Sequence, residues 1–571
     1  MVSVAETIRN HSVYKKIRLR KQYPDRAKKI ASQGGLSTVS SHVLAARGFE
    51  VGQELTNYIN PSLKQGLPPP EQLKNLDKAC DLIAAVIEAN ESIAICCDFD
   101  VDGLSGGAQL HNFLNEIGAE SKVFVPDRFA DGYGLSEKIV RKIHQAGFAV
   151  IICVDYGTTN ISEIKLAKQL GLKTIIIDHH HMGENAPDCD VLINPNQKNC
   201  GFADSLLCAS GLVWYLLLAL KNKLPQAKNN DIKLYLDLAC LGTICDMVPL
   251  RGVNRVLAKR GLELLSVSKR PGILALKNVA GLNGNMQCSD VSFGIGPRLN
   301  AAGRMVHGEV VIELLTTADS EKSKKIAEQL NRLNLERQKI ETKVKEKAIY
   351  LINGLTKLPA GLVVHDPQFH TGVIGIVAQR LVETFYKPSV VLGMDKDGIY
   401  KGSVRSIKGI SVVELLSNLS KYLIKFGGHE GAGGLSIESS QLEEFTLAFA
   451  DECEKLSSKS ESEAYVEADT GIPLADLDLK LIKELKSFAP FGIGNPAPLL
   501  LSQKLRVRDI RVLKGAHLKV ILSDGKNFLN GFLWRYTKHP ELYVGNKVNV
   551  AFRPDINTYN GLTDIQANIQ A

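Results

Sequence analysis

Five consecutive apolar residues, Ile93–Cys97, run directly into three carboxylates at alternate positions, Asp98, Asp100 and Asp102. A short, continuous apolar run with polar flanks reads as a strand buried on both faces of a parallel sheet. Gly103, Gly106 and Gly107 follow, and then Leu110, Phe113, Leu114 and Ile117 at helical spacing from about Ala108. Three acids this close repel one another unless something meets their charge, and hard divalent cations with oxygen ligands are the usual answer. The stretch also lies where α/β enzymes carry their chemistry, at the carboxyl end of a strand. Taken alone, it also fits a polar, solvated turn.

The chain around it alternates. Helix Asp77–Ala89 precedes strand Ile93–Cys97, and strands Lys122–Val125, Val150–Val154, Lys173–Ile177 and Val191–Ile193 follow, separated by helices Ser136–Ala146 and Ile161–Leu170. That order calls for an α/β fold with a parallel sheet and helices on both faces. Two more polar clusters end strands: Asp155-Tyr156-Gly157 and Asp178-His179-His180-His181. Parallel strands end on one edge, so these clusters should meet the first acids in space. A lone Asp after a strand is usually a helix cap, but three such clusters are hard to ascribe to chance. Residues 206–305 read as helical and contain Asp246 in an apolar stretch, where a buried carboxylate needs a partner. A metal or a loop hydrogen bond would serve.

A chain of 571 residues is too long for one core, so several domains are expected. The net charge of +8 is a mild bias towards polyanions. No apolar run has the length to span a bilayer, and the basic N-terminus has no apolar region behind it. Membrane and secreted classes are therefore not expected. Eleven cysteines without a CxxC pair read as reduced thiols of a cytoplasmic protein.

The remaining chain divides by composition. Residues 1–74 read as an N-terminal extension whose basic segment, Lys15–Lys29, is either a solvated helix or a DNA-facing patch. Residues 75–317 form the first α/β domain, and 318–354 a connecting helix without Gly or Pro from Asp319 to Ile352. Residues 355–460 form a second α/β domain with a Gly-rich segment, Phe426–Gly434, and the polar linker SSKSESEA follows. Residues 465–571 hold short strands with Gly, Asn and Asp turns, as in a small barrel. From Lys504 onward, eleven Lys/Arg face five acids, interleaved with Phe528, Phe532, Trp534, Tyr536 and Phe552. Basic charge beside aromatic faces suits single-stranded nucleic acid, although some of these rings must fill the barrel.

DFDVDG, VDYG, DHHH and LGTICDMVPL, in this order, resemble the four motifs of the DHH phosphoesterase superfamily. His370–Gly375, Gly402–Ser406 and GGHEGAGG resemble the associated DHHA1 domain, and PFGIGNPAP with the basic barrel resembles the OB domain of the bacterial single-strand-specific exonucleases of that superfamily. Val101 and Cys97 depart from the residues common there.

The resemblance implies two-metal hydrolysis of single-stranded DNA from the 5′ end to mononucleotides, with Mn²⁺ or Mg²⁺, in repair and recombination. It implies that Asp155 bridges the ions, that Asp102, His179 and Asp246 hold one, and that Asp98 and Asp100 serve the other. Asp178 is expected to orient His179, and His180 to contact the scissile phosphate. Arg304, Ser403 and Arg405 are candidates for a terminal-phosphate pocket, and Arg128, His429 and His370 for contacts with the DNA. Selectivity for unpaired strands would come from a cleft too narrow for a duplex. The expected partners are single-stranded DNA, a single-strand-binding protein and a helicase, with no membrane, and the chain is expected to be a monomer. A DHH-type oligonucleotide or small-molecule phosphodiesterase, and a non-catalytic single-strand-binding scaffold, remain alternatives.

Overall fold

The computed structural model describes residues 14–128, 134–183, 185–202, 206–457, 464–536, 538–559 and 562–571. Most of the SSKSESEA linker and the first part of the N-terminal extension, residues 1–13, lie outside the described residues. The chain forms two compact units, one of residues 52–335 with 488–497, the other of residues 1–51, 336–487 and 498–571. Among the described residues no helix is long and apolar enough to cross a membrane.

The first unit is built on a five-stranded parallel sheet in the order Ser121–Phe124, Ile93–Cys97, Val150–Val154, Lys173–Ile177, Val191–Ile193. Alternate strand residues point to opposite faces. Ile93, Ile95 and Cys97 join the larger core, which includes helices Leu76–Glu88, Val101–Glu116 and Ala209–Lys223. Ala94 and Cys96 join a smaller core with helices Glu137–Gln145 and Ile161–Gln169. Apolar contact on both faces explains why these strands read as unbroken hydrophobic runs.

The helix after the first strand begins earlier than its hydrophobic spacing predicts, at Val101. Asp100 caps it, accepting hydrogen bonds from the Asp102 and Gly103 N–H groups at 2.9 and 3.2 Å. The glycines that read as a turn lie inside this helix. A Cβ on Gly103 would stand 2.6 Å from the Asp98 nitrogen, and one on Gly106 2.8 Å from a Val154 methyl. They let the helix seat directly on the sheet.

In the second unit, strands Leu362–Asp366, Ser389–Met394, Tyr400–Arg405, Ala432–Ile437 and Lys425–His429 form a mixed sheet. The Gly-rich segment forms a β-hairpin in this sheet. The basic N-terminal segment is not one continuous helix. Lys16–Leu19 pairs in parallel with Tyr465–Ala468, and Pro24–Gly34 forms a helix after it. The C-terminal strands pair from Leu500–Leu513 through His517–Ser523, Phe528–Leu533, Leu562–Ile569 and Lys547–Tyr559 back to Leu500–Leu513. Phe552 is fully buried there, whereas Phe528 and Trp534 are exposed.

Helix Ser320–Asn353 is a single uninterrupted element of 34 residues, as its composition predicts, and the boundary between the units falls within it.

Candidate metal centre

Strand register gathers the acids. Cys97 pairs with Val154, Val154 with Ile177, and Ile177 with Ile193. The next residue on each strand is therefore Asp98, Asp155, Asp178 and Asn194, four polar side chains at one level of one sheet edge. The backbone continues this ladder, with Asp98, Asp155 and Asp178 each donating N–H to the neighbouring strand's last carbonyl at 2.9 to 3.2 Å. Asp155 then leaves the strand with φ of 70°, a left-handed conformation uncommon outside glycine and found at functional sites.

His179 Nε2 lies at the centre. It stands 3.2 Å from Asp155 Oδ1, 3.6 Å from Asp246 Oδ2 and 3.8 Å from Asp102 Oδ2. Three sets have ligand atoms close enough to share an ion: Asp98, Asp100 and Asp155; Asp102, His179 and Asp246; and Asp155, His179 and His180. Asp155 belongs to the first and third sets, His179 to the second and third. His180, expected to meet phosphate, thus also stands within ligand range.

Asp102 is held tightly. Its two carboxylate oxygens accept N–H bonds from Ala209 and Ser210 at 2.7 and 2.9 Å, at the start of helix Ala209–Lys223. Helix N-termini favour negative charge. Asp246 comes from elsewhere in the fold, at the carboxyl end of helix Leu236–Cys245. That helix can approach because Gly242 has no side chain, since a Cβ there would lie 2.3 Å from Asp102 Oδ1.

Concentrated negative charge distorts the acids. Burial and then neighbouring carboxylates push Asp98 and Asp155 well above the usual carboxyl range, Asp102 to about 7 and Asp246 to about 9. Burial, with the charge of His180, lowers His179 to about 4, so its ring is neutral at neutral pH, the form that ligates metals. Asp98 Oδ1 and His179 Nε2 are buried and make no hydrogen bond among the described residues. Divalent cations fit this donor set: they would relieve the repulsion, and the oxygen majority suits Mn²⁺ or Mg²⁺.

Asp178 does not orient the His179 ring as expected. Its Oδ1 lies 2.7 Å from His180 Nδ1 and accepts the backbone N–H of both His179 and His180, at 2.7 and 3.1 Å. Its Oδ2 accepts the Thr158 N–H at 3.1 Å. Burial would raise this carboxyl, but the bond and charge of His180 outweigh it and hold Asp178 low. In return, against the opposing effect of burial, Asp178 lifts His180 to about 9. His180 is therefore a half-exposed imidazolium beside the acids.

Asn194 and Asn196 went unnoticed in the sequence. Asn194 Nδ2 donates to the His180 carbonyl at 2.9 Å and Asn196 Nδ2 to the His179 carbonyl at 2.7 Å, fixing the histidine backbone. Their signal was a polar Asn-Pro-Asn after a buried strand. Ser210, which links to Ser105 Oγ at 3.0 Å and Gln109 Nε2 at 2.7 Å, gave no signal.

The phosphate candidates fall in both units. In the first unit, Arg128 stacks on Phe99 at 5.1 Å and feels the charge of Asp98 and Asp100, and Arg304 lies in the last turn of helix Gly296–Met305. In the second unit, Ser403 and Arg405 share one face of strand Tyr400–Arg405, with Arg405 Nη1 donating to Ser403 Oγ at 3.0 Å. Gly375, in the first turn of helix Ile374–Phe385, faces them, and a Cβ there would lie 3.0 Å from Ser403 Oγ. His370 precedes that helix and accepts the Gly372 N–H, and exposed His429 ends a hairpin strand.

Family models agree with this layout. The DHH family N-terminal domain matches residues 92–243, the DHHA1 domain 358–455 and the RecJ OB domain 468–571. The chain is 33% identical to the single-stranded-DNA-specific exonuclease RecJ of Dickeya dadantii, over 94% of this chain and 96% of that one. The crystal structure of RecJ from Thermus thermophilus in complex with Mn²⁺ is similar, with a TM-score of 0.85 and 27% identity, covering 97% of this chain and 79% of that one. The same protein in complex with Mg²⁺ gives a TM-score of 0.78 and 26% identity, over 97% and 78%. The sheet-edge carboxylates, the three matched domains and the identity along nearly the whole length lead to one conclusion: the chain belongs to the RecJ family of single-stranded-DNA-specific exonucleases.

Proposed function

We propose that this chain is a two-metal exonuclease that hydrolyses single-stranded DNA from the 5′ end and releases mononucleotides, in repair and recombination. The observation that carries the reading is the grouping of Asp98, Asp100 and Asp155, and of Asp102, His179 and Asp246, each trio within ligand range. Two divalent cations, when bound, neutralise the attacked phosphate and leaving oxygen and lower the pKa of the attacking water. Asp155 takes the shared position, Asp102, His179 and Asp246 hold one ion, and Asp98 and Asp100 the other. Asp178 keeps His180 protonated and aimed, and His180 presents positive charge to the scissile phosphate. Within the second unit Ser403 and Arg405 are suited to a phosphate, and within the first unit Arg304 is too, each arginine by two-pronged contacts. Arg128, His370 and His429 contact the rest of the strand.

The exposed Trp534 and the Phe532 ring stacked on it, 5.9 Å apart and 15° from parallel, offer unpaired bases a platform in the OB domain. The chain acts as a monomer in the cytoplasm, alongside a single-strand-binding protein and a helicase. Single strands and duplexes labelled at the 5′ or the 3′ end, incubated with Mn²⁺ or Mg²⁺, test this reading. Mononucleotide released first from 5′-labelled single strands supports it. Release from the 3′ label, internal cuts or no reaction would refute it.

A further inference from the structure

Asp246 is the one metal-centre acid supplied by neither the strand ends nor the helix that follows the first strand, so something else must fix it. The residues after it, Met247–Arg251, turn sharply, with Met247 at φ of 62°. They are gripped by a segment far away in sequence, Phe488–Ala497, which belongs to the first unit although the residues on either side of it belong to the other. Leu250 donates its N–H to the Ile493 carbonyl at 2.7 Å, and Arg251 Nε donates to the Gly494 carbonyl at 2.7 Å. Gly494 sits at φ of 71°, and a Cβ there would lie 2.8 Å from Pro249 Cβ, so the two loops are in direct backbone apposition.

The gripping segment is itself anchored. Buried Asn495 donates to the Phe488 and Pro490 carbonyls at 3.1 and 2.8 Å and accepts the Tyr58 hydroxyl at 2.9 Å. Buried Arg255 lies 4.0 Å over the Tyr58 ring and donates to the Tyr58 and Ala489 carbonyls at 2.9 and 3.2 Å. A buried guanidinium and amide whose bonds converge on backbone carbonyls are costly unless satisfied, and here they fix one loop conformation.

We propose that Phe488–Ala497 is a positioning latch for Asp246, and through it for the cation shared with Asp102 and His179. The proposal rests on the two-metal reading above. Removing everything beyond about residue 465 would then do more than remove nucleic-acid-binding surface, because it would also release Asp246.

The test is Mn²⁺ calorimetry on the full chain, comparing the parent with Asn495→Ala, Arg251→Met and Arg251→Lys. The parent should bind two ions. Asn495→Ala should weaken one of them about tenfold and leave the other unchanged, as loss of outer support does elsewhere. Arg251→Met, at an exposed position, should weaken the same ion by less, and Arg251→Lys, which keeps a donor, should restore it. If Asn495→Ala does not fold, Arg251→Met decides. Two ions bound equally well by folded variants and parent would overturn the latch alone. A parent that binds no Mn²⁺ would overturn the two-metal reading beneath it.

Discussion

Asp178 Oδ1 and His180 Nδ1 lie 2.7 Å apart, and this pair keeps the imidazole charged up to about pH 9 instead of its ordinary 6.5. Asp178→Asn removes the anion. The alkaline limb of the pH–rate profile should move to lower pH, with activity at pH 8 down about 10- to 100-fold. Mn²⁺ affinity should change little. An unchanged alkaline limb would show that His180 is not the titrating group.

Stability of the metal-free protein should fall as pH rises from 7 to 9. Asp246, raised from 3.8 to about 9, takes up a proton on folding, as does His180 between 6.5 and about 9. The native state therefore binds more protons than the unfolded one in this window, and stability declines with pH. His179 has its window lower, between about 4 and 6.5, and does not oppose the trend. Bound Mn²⁺ replaces the Asp246 proton. The rise in Tm on adding Mn²⁺ should thus be larger at pH 8.5 than at pH 6.5, as thermal melts in EDTA and in Mn²⁺ would show.

Gly242→Ala places a methyl 2.3 Å from Asp102 Oδ1 and 2.4 Å from Ser210 Cβ. Overpacking of this kind costs about 1–3 kcal/mol. Because the displaced groups are a metal-centre acid and the serine that bonds it, Mn²⁺ affinity should fall along with the urea midpoint. Alanine at a distant helix position, with equal loss of stability, should leave Mn²⁺ affinity intact.

Trp534→Ala should weaken binding of long single strands by about 1–3 kcal/mol, the usual worth of one stacked base. The ring is half-exposed and donates its Nε1–H to Asn568 Oδ1 at 3.0 Å, so folding should tolerate the change. Fluorescence anisotropy with long and very short oligonucleotides separates the effects: the loss should appear only on the long ones.

The sheet was legible because its strands are buried on both faces. Val150–Val154, Lys173–Ile177 and Val191–Ile193 stand where their apolar runs placed them. The gathering of the acids was legible too, since parallel strands share one edge. Side-chain pairings were not. Nothing in Asp178-His179-His180 says which ring the carboxylate meets, because that depends on loop geometry fixed by Asn194 and Asn196. The helix start at Val101 was hidden because its first turn, Val101–Leu104, carries an aspartate and a glycine and two more glycines follow, which read as loop until the cap and the close seating on the sheet are seen. The latch was also out of reach, since Asn495 and Tyr58 lie 437 residues apart.

The central claim is that Asp155 is shared between two cations. Anomalous diffraction at the manganese edge, from crystals of the full chain grown with Mn²⁺, tests it most directly. Two peaks about 3.5–4 Å apart, one beside Asp98 and Asp100 and the other beside Asp102, His179 and Asp246, with Asp155 touching both, are the predicted result. A single peak, or peaks that Asp155 does not reach, would contradict it.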